Sequence, residues 1–451
     1  MRRMALFFFA LGVGIAGPAA ASRPNILFII SDDHRWDCIG AAGNPKVITP
    51  NIDRLAAEGV YFVQAVMHVP QCSPGRAQLL TGLSPHQTGW YSNQFQRPDL
   101  RERDGLTRYT LLPRILRSGG YHTTFVGKWH LAADPWNCGF SDVRTWLPGG
   151  GGAYRDLDLA QGNSRDIRKR PGFVQEIFAN DAIEFLKSSE AKAEPFFLWV
   201  AFTAPHAPTR PNPERVEKLY TGKSNEQLFP PGFEAPGPAR DWVHYYEAIS
   251  LLDEQVGRIL ETLRATRLAE NTVVVLLGDN GFMMGSRGWN GKVIPYEESI
   301  RVPLIISAPH LSTLRGRTSA TATSLDLPPT FLRLAGIDPP KEWSGRNLLP
   351  VLQGKKNHGI DHAIVEWADD QSQEFGDQAY RLIRTETRKL ILRLRPEKPD
   401  ELYELDADPH ESENRINEPR VQKTRSELQR RLENWMRQTN DPFLQRPKKT
   451  S

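Results

Sequence analysis

Cysteine is scarce in this chain of 451 residues, which has only Cys38, Cys72 and Cys138. Three are too few for a disulfide framework, and their spacing matches neither a zinc ribbon nor a C-x-x-C redox pair. A membrane-spanning run is also lacking, because the apolar stretch from Ala5 to Ala16 is shorter than the ~20 residues a bilayer crossing needs. Nor does one sign of charge dominate. The formal net charge of +4 is thinly spread, so no concentrated basic face is offered to nucleic acid. No internal repeat is evident. With 39% hydrophobic and 24% charged residues, the chain reads as globular and long enough to bury a large core or divide in two.

What is present starts with MRRMALFFFALGVGIAGPAAAS: a basic start, an apolar run, and small residues Ala19 and Ala21 where a signal peptidase reads. The expectation is an exported protein, periplasmic or secreted, with residues 1–21 removed and no permanent membrane anchor. Cys38 and Cys138 then either pair or lie buried as small hydrophobes.

Residues 25–30 form an apolar, β-branched run that stops at Ser31-Asp32-Asp33, as a buried parallel strand does at its carboxyl end. Strand-like runs recur at 123–126, 196–202, 272–277 and 302–306. Residues 49–58 read as a helix, with Thr49 as N-cap, Pro50 at its first position and Gly59 past its end. Helical spacing also marks 181–186 and 245–265. An α/β fold follows: a mostly parallel central sheet flanked by helices over 22–354. Beyond Gly354, short alternating segments at 363–366, 380–385 and 389–394 and a helix at 421–437 predict a smaller antiparallel sheet plus helix over 355–451. The Gly-rich stretch 148–154, its charged continuation to 170, and the Pro-rich segment 205–238 read as long loops, either binding loops or solvated insertions. Trp90, Tyr91, Trp136, Trp146 and Tyr154 fall in expected loops, where they serve either to stack on sugar rings or as core anchors.

Ligands of open α/β sheets sit beyond the carboxyl ends of the strands. Asp32 and Asp33 end one apolar run, and Asp279 and Asn280 end another. Each pair alone reads as a turn or helix cap. Brought together, they repel unless a cation lies between them, and all-oxygen ligation selects calcium or magnesium over zinc. Between them in sequence lies Cys72-Ser73-Pro74-Gly75-Arg76-Ala77-Gln78-Leu79-Leu80-Thr81-Gly82, a small-residue turn that opens a helix.

This segment resembles the signature of the type I sulfatases of the alkaline phosphatase superfamily, in which a dedicated enzyme oxidises the cysteine of C-x-P-x-R to formylglycine. The resemblance continues in order through Gly127-Lys128-Trp129-His130, Pro205-His206-Ala207-Pro208, Gly278-Asp279-Asn280-Gly281, Lys292 and Tyr296-Glu297-Glu298-Ser299. It ends at Glu401-Leu402-Tyr403-Glu404-Leu405 with Asp408-Pro409. It implies a sulfuric ester hydrolase acting on a sulfated sugar or aryl sulfate, with a formylglycine-generating enzyme as maturation partner. By position, Asp32, Asp33, Asp279, Asn280 and an oxygen of the residue derived from Cys72 would hold one divalent cation, Ca2+ in preference to Mg2+. Arg76 and Lys128 would flank that residue, and Lys128, Lys292 and His206 would contact the substrate. Lys292 and His206 would protonate the leaving oxygen, and His130 would be the base. The hydrated aldehyde offers two hydroxyls: one attacks sulfur, and deprotonation of the other reforms the aldehyde and expels sulfate.

Two departures from the family pattern stand out. Gly75 occupies a position where many relatives have serine, leaving C-x-P-x-R intact. Ser286-Arg287-Gly288 replaces the common Glu-His-Gly, which suggests that Arg287 reads an anionic group on the substrate. A phosphate or phosphonate ester hydrolase of the same superfamily is a competing reading. So is a secreted carbohydrate-binding protein in which Cys72 is never converted.

Overall fold

A computed structural model describes residues 23–93, 105–234, 240–355, 359–367, 378–394 and 397–445. The expected leader, residues 1–21, lies outside them. Ten strands form one sheet: β1 (Asn25–Ser31), β2 (Val60–Phe62), β3 (His122–Lys128), β4 (Asp142–Leu147), β5 (Asp158–Gln161), β6 (Arg168–Lys169), β7 (Phe196–Ala201), β8 (Thr272–Gly278), β9 (Leu304–Ser307) and β10 (Gly316–Thr318). Their spatial order is β10-β2-β9-β8-β1-β7-β3-β4-β5-β6. The central strands β8, β1, β7, β3 and β4 all run parallel. β1, β7 and β8 are buried along their whole length, because helices cover both faces and leave no side for polar residues.

Alternate residues of β1 face the two layers. Ile26, Phe28 and Ile30 join a core with α2 (Cys72–Thr81), α3 (Leu112–Ser118) and α6 (Leu327–Leu334). Leu27 and Ile29 join the opposite core with α1 (Pro50–Glu58), α4 (Val174–Lys187) and α5 (Trp242–Ala265). The period of two follows from the pleat, and each helix buries one apolar stripe. Cys38 and Cys138 are free thiols buried in separate clusters.

Three expectations change. The strand at 302–306 is Leu304–Ser307, and it runs antiparallel to both β8 and β2. The stretch to 170 contains β5 and β6, of four and two residues, held by antiparallel backbone pairing at the sheet edge. Strands this short show no hydrophobic period. Thr49 precedes α1 without capping it, since its hydroxyl accepts from the Gly40 N–H at 2.8 Å. Asp253 of α5 instead accepts from the N–H groups of Asn51 and Ile52 at 3.0 and 2.7 Å, supplying the acceptors a helix start requires.

The second sheet is an antiparallel meander of β11 (His362–Trp367), β12 (Tyr380–Thr385), β13 (Arg388–Arg393) and β14 (Glu401–Glu404). Leu428, Leu432 and Met436 of α7 (Gln422–Gln438) cover one face. The other face shares a core with Val66, Val69, Val293 and Ile300. Beside that contact, His86 Nδ1 meets Glu366 Oε2 at 2.6 Å.

Burial opposes the charge on His86, but Glu366 outweighs it and raises the imidazole above its ordinary 6.5. Burial likewise opposes the charge on Glu366, yet Arg381 and then His86 hold the carboxyl at about 2 against an ordinary 4.5. The histidine's contribution is thus complete below pH 6.5 and fades as pH rises through its folded value. The carboxylate's contribution is complete above 4.5 and is lost as pH falls towards 2. His86→Gln is expected to cost ~3 kcal/mol near pH 5.5, with a smaller cost once the pH has risen past the imidazole's raised folded-state value. Thermal unfolding of both proteins across this range checks it; a pH-independent difference would remove the imidazolium from the account.

Candidate active site

Ser31 of β1 registers with Gly278 of β8, so the residues after both strands emerge side by side. Asp33 turns with φ of 58°, a left-handed conformation that aspartate tolerates better than most residues. Its N–H donates to Asp279 Oδ1 at 3.2 Å, and Asn280 Nδ2 donates to Asp33 Oδ1 at 2.6 Å. Helix α2 brings Cys72 into this group from the opposite side. Its Sγ lies 3.4 Å from Asp32 Oδ1, 3.7 Å from Asn280 Oδ1 and 3.0 Å from Lys292 Nζ. Arg76 stands one helical turn beyond Cys72 and therefore shares its face. Its guanidinium donates to Asp279 Oδ2 at 2.9 Å and to the Lys128 carbonyl at 2.6 Å. Lys128, at the end of β3, donates to Asp32, and Lys292 donates to Asp33.

Three carboxylates thus face three cations, and all six residues are buried. Burial alone would raise the Asp33 carboxyl, but Lys292, His206 and Lys128 together hold it at about 2. Asp279 is raised to about 6 by burial and by the charge of Asp32, despite Arg76 and Lys128. Burial and Asp32 push the Cys72 thiol up to about 12, so the unmodified side chain is not a thiolate at neutral pH.

Two histidines complete the site. His130 is driven well below its ordinary range by burial and then by Lys128, Arg76 and Lys292, which keeps the ring neutral. His206 is lowered to about 4 by burial, offset in part by Asp33. Its Nδ1 bonds to the Ala207 carbonyl at 2.6 Å, while Nε2 lies 3.8 Å from Asp33 Oδ2.

The Gly-rich stretch lies against both rings. A Cβ on Gly150 would come within 2.7 Å of the His130 imidazole, and one on Gly151 within 3.0 Å of His206 Nδ1. Gly149 has open space around it. Gly150→Ala is accordingly expected to displace His130 and lower kcat by ~100-fold, as small misplacements of reacting groups do. Gly149→Ala should stay within twofold of the parent in the same assay; equal effects at both positions would show a general loop effect instead.

Other contributors were given no role in this cluster by the sequence. Ser73 Oγ donates to the His130 carbonyl. Asn93 accepts from the Ser73 N–H at 3.0 Å and donates its own N–H to Gln71, tying down the first turn of α2. Tyr245 donates to the Asp33 carbonyl at 2.6 Å, and Tyr154 to the His206 carbonyl at 3.0 Å. Tyr154, Trp90 and Trp146 are buried, with Trp146 inside β4, so these three are core residues rather than sugar-stacking platforms. A Cβ on Gly75 would stand 3.2 Å from Met67 Cε, so the serine of many relatives fits here once that flexible methyl yields.

Asp32, Asp33, Cys72, Lys128, Asp279, Asn280 and Lys292 come together with Arg76, His130 and His206. Arg287 is placed elsewhere. Its guanidinium donates to the carbonyls of His410 and Glu411 and lies 4.0 Å from the Tyr296 ring centre. It lines a cavity of about 590 Å³ that Cys72 does not line.

One ligand atom each from Asp32, Asp33, Cys72 and His206 lies within 4.8 Å of the others, a group that could hold a metal ion. A second group, His86, Glu366 and Asp441, is already neutralised by its own imidazole and by Arg381.

The family model described as Sulfatase matches residues 24–337. The chain belongs to the sulfatase family. The order of its motifs places it among the type I enzymes of the alkaline phosphatase superfamily. The C-terminal model of N-sulphoglucosamine sulphohydrolase matches residues 285–438. This sulfatase is 28% identical over 444 residues to the ulvan-active sulfatase of Formosa agariphila, across 94% of this chain and 83% of that one. It is 32% identical over 392 residues to the N-acetylgalactosamine-6-sulfatase of Sus scrofa, across 78% of this chain and 70% of that one. The crystal structure of YidJ from Bacteroides fragilis superposes with a TM-score of 0.84 at 27% identity, covering 96% of this chain and all of that one.

Proposed function

We propose that this sulfatase hydrolyses sulfate esters of saccharides at the cluster around Cys72, after Cys72 is converted to formylglycine. In this reading one divalent cation, Ca2+ in preference to Mg2+, is held by Asp32, Asp33, Asp279, Asn280 and residue 72. The observation that carries it is the place of the Cys72 side chain, within 3.4 Å of a carboxylate and 3.0 Å of an ammonium group where two parallel strands end. Formylglycine and the cation would supply a nucleophilic hydroxyl at neutral pH and charge neutralisation on the sulfuryl oxygens.

The chain's own residues account for the rest. Arg76, Lys128 and Lys292 bring positive charge to an interior with few competing waters, where it stabilises the charge that builds on the sulfuryl group. The S–O bond to the sugar would break as one to residue 72 forms, and the sugar oxygen would take its proton from Lys292 Nζ, which carries one, or from His206 Nε2 when that ring is in its imidazolium form. The Nδ1 bond to Ala207 leaves Nε2 as the ring atom that faces the cluster. His130 is neutral at rest, and with the bound sulfate offsetting the neighbouring cations it would take the proton that the second hydroxyl of residue 72 gives up as sulfate leaves.

A saccharide substrate is supported by the relatives, one named for ulvan and one for a 6-sulfated N-acetylgalactosamine. Export is consistent with such a substrate, and no helix among the described residues is long and apolar enough to cross a membrane. The test has two parts, using protein from a host that carries the converting enzyme. The mass of the peptide containing Cys72 should show aldehyde or its hydrate, and aryl sulfate should be cleaved faster than aryl phosphate. Faster phosphate cleavage would favour the phosphate ester reading. An unmodified thiol without sulfate release would leave a carbohydrate-binding protein.

A further inference from the structure

A cavity of about 270 Å³ opens directly on Asp33, within the reactive cluster. Any group attached to an ester bound at that cluster has this space as a neighbour. Its lining includes Pro205, Pro208, Phe282 and Met284, apolar surface of the kind a pyranose ring packs against. Two arginines, 30 positions apart in sequence, converge on it: Arg210 from the segment after His206, and Arg240 just before α5.

Two carboxylates and two guanidinium groups line this cavity, and both carboxylates are engaged by other residues. Asp33 is engaged by Lys292 and Asn280. Asp241 caps α5 through the His244 N–H at 3.2 Å and pairs with the His244 ring. Arg210 and Arg240 have no carboxylate partner among the described residues, and Arg240 lies over the Phe282 ring at 5.0 Å, leaving its donors to solvent. The larger cavity differs in this respect. There Arg35 is held by Asp37, Arg287 by two carbonyls and Arg301 by Glu297.

We propose that Arg210 and Arg240 form a second anion subsite, selecting saccharides that carry a further sulfate or carboxylate beside the ester to be cleaved. Planar guanidinium forks match both groups by paired hydrogen bonds. The assignment rests on the reading that the ester binds at the Cys72 cluster.

The experiment measures inhibition of aryl sulfate turnover by the mature, metal-loaded enzyme. Three saccharides serve as probes: a monosulfated N-acetylhexosamine, the same sugar with a second sulfate, and a disaccharide joining the monosulfated sugar to a uronate. In the parent enzyme the second anion should lower Ki at least ~10-fold, and high salt should shrink the gain. With Arg210→Gln and Arg240→Gln combined, the ratio between singly and doubly charged probes should fall to near one, whereas Arg→Lys at both positions should keep part of it. A gain confined to one probe supports the subsite and names its anion. Equal Ki values in the parent, or a gain that survives the double glutamine variant, overturn the proposal. If aryl sulfate is not turned over, the hydrolase reading has failed. Calorimetric binding of the same three probes then still decides the subsite.

Discussion

Cys72→Ser should abolish steady sulfate release, with a loss of about 10⁴-fold or more, the scale seen when a nucleophile is removed from a preorganised site. The substitution is nearly isosteric and leaves Asp32, Asn280 and Lys292 around the same position. A serine offers one hydroxyl where the proposed chemistry needs two. Sulfate accepted by it has no route off, because no neighbouring hydroxyl can collapse to a carbonyl. The expected signature is at most one equivalent of alcohol per protein molecule with no free sulfate, read by rapid mixing and by mass of the intact chain. Cys72→Ala should release neither. Sustained turnover by the serine variant would end the formylglycine reading while leaving the hydrolase reading intact.

Removing the divalent cation should eliminate turnover and, with it, affinity for free sulfate. Without the ion the cluster holds Asp32, Asp33 and Asp279 against Arg76, Lys128 and Lys292, formally neutral and with little to attract an anion. A divalent ion leaves a twofold positive excess, which matches the dianion that is released. Unit charges 4 Å apart at an effective dielectric of 20 interact by about 4 kcal/mol, so sulfate affinity should fall at least ~100-fold on chelation. Calorimetry with sulfate before and after chelation, and after return of Ca2+ or Mg2+, measures this directly. Equal affinity with and without the ion would place the sulfate site away from this cluster. The chelated protein should remain folded, because its own lysines already neutralise the carboxylates.

The readable part of the site lay at strand ends. Asp32-Asp33 and Asp279-Asn280 each follow an unbroken apolar run, and burial on both faces makes such strands conspicuous. Cys72 and Arg76 were readable as a pair through the resemblance to the C-x-P-x-R signature, and α2 places them one helical turn apart. Asn93, Gly150, Tyr154 and Tyr245 were not, because each reaches the cluster through a contact between segments distant in the chain. Arg287 likewise meets the carbonyls of His410 and Glu411 through a contact between distant segments.

Alone, the sequence determined the strand-then-helix order, the polar residues that close each strand and the ordered motifs of the sulfatase family. These depend on local pattern, on pleat and helix period, and on Gly and Pro punctuation. Tertiary structure alone decided that β9 runs antiparallel, that Tyr154 and Trp146 belong to the core, and that glycines 150 and 151 lie against the two histidines. It also decided that Arg210 and Arg240 share one cavity beside Asp33. Such facts depend on which loops the crossovers of a ten-stranded sheet bring to the same edge, and no local propensity encodes that meeting.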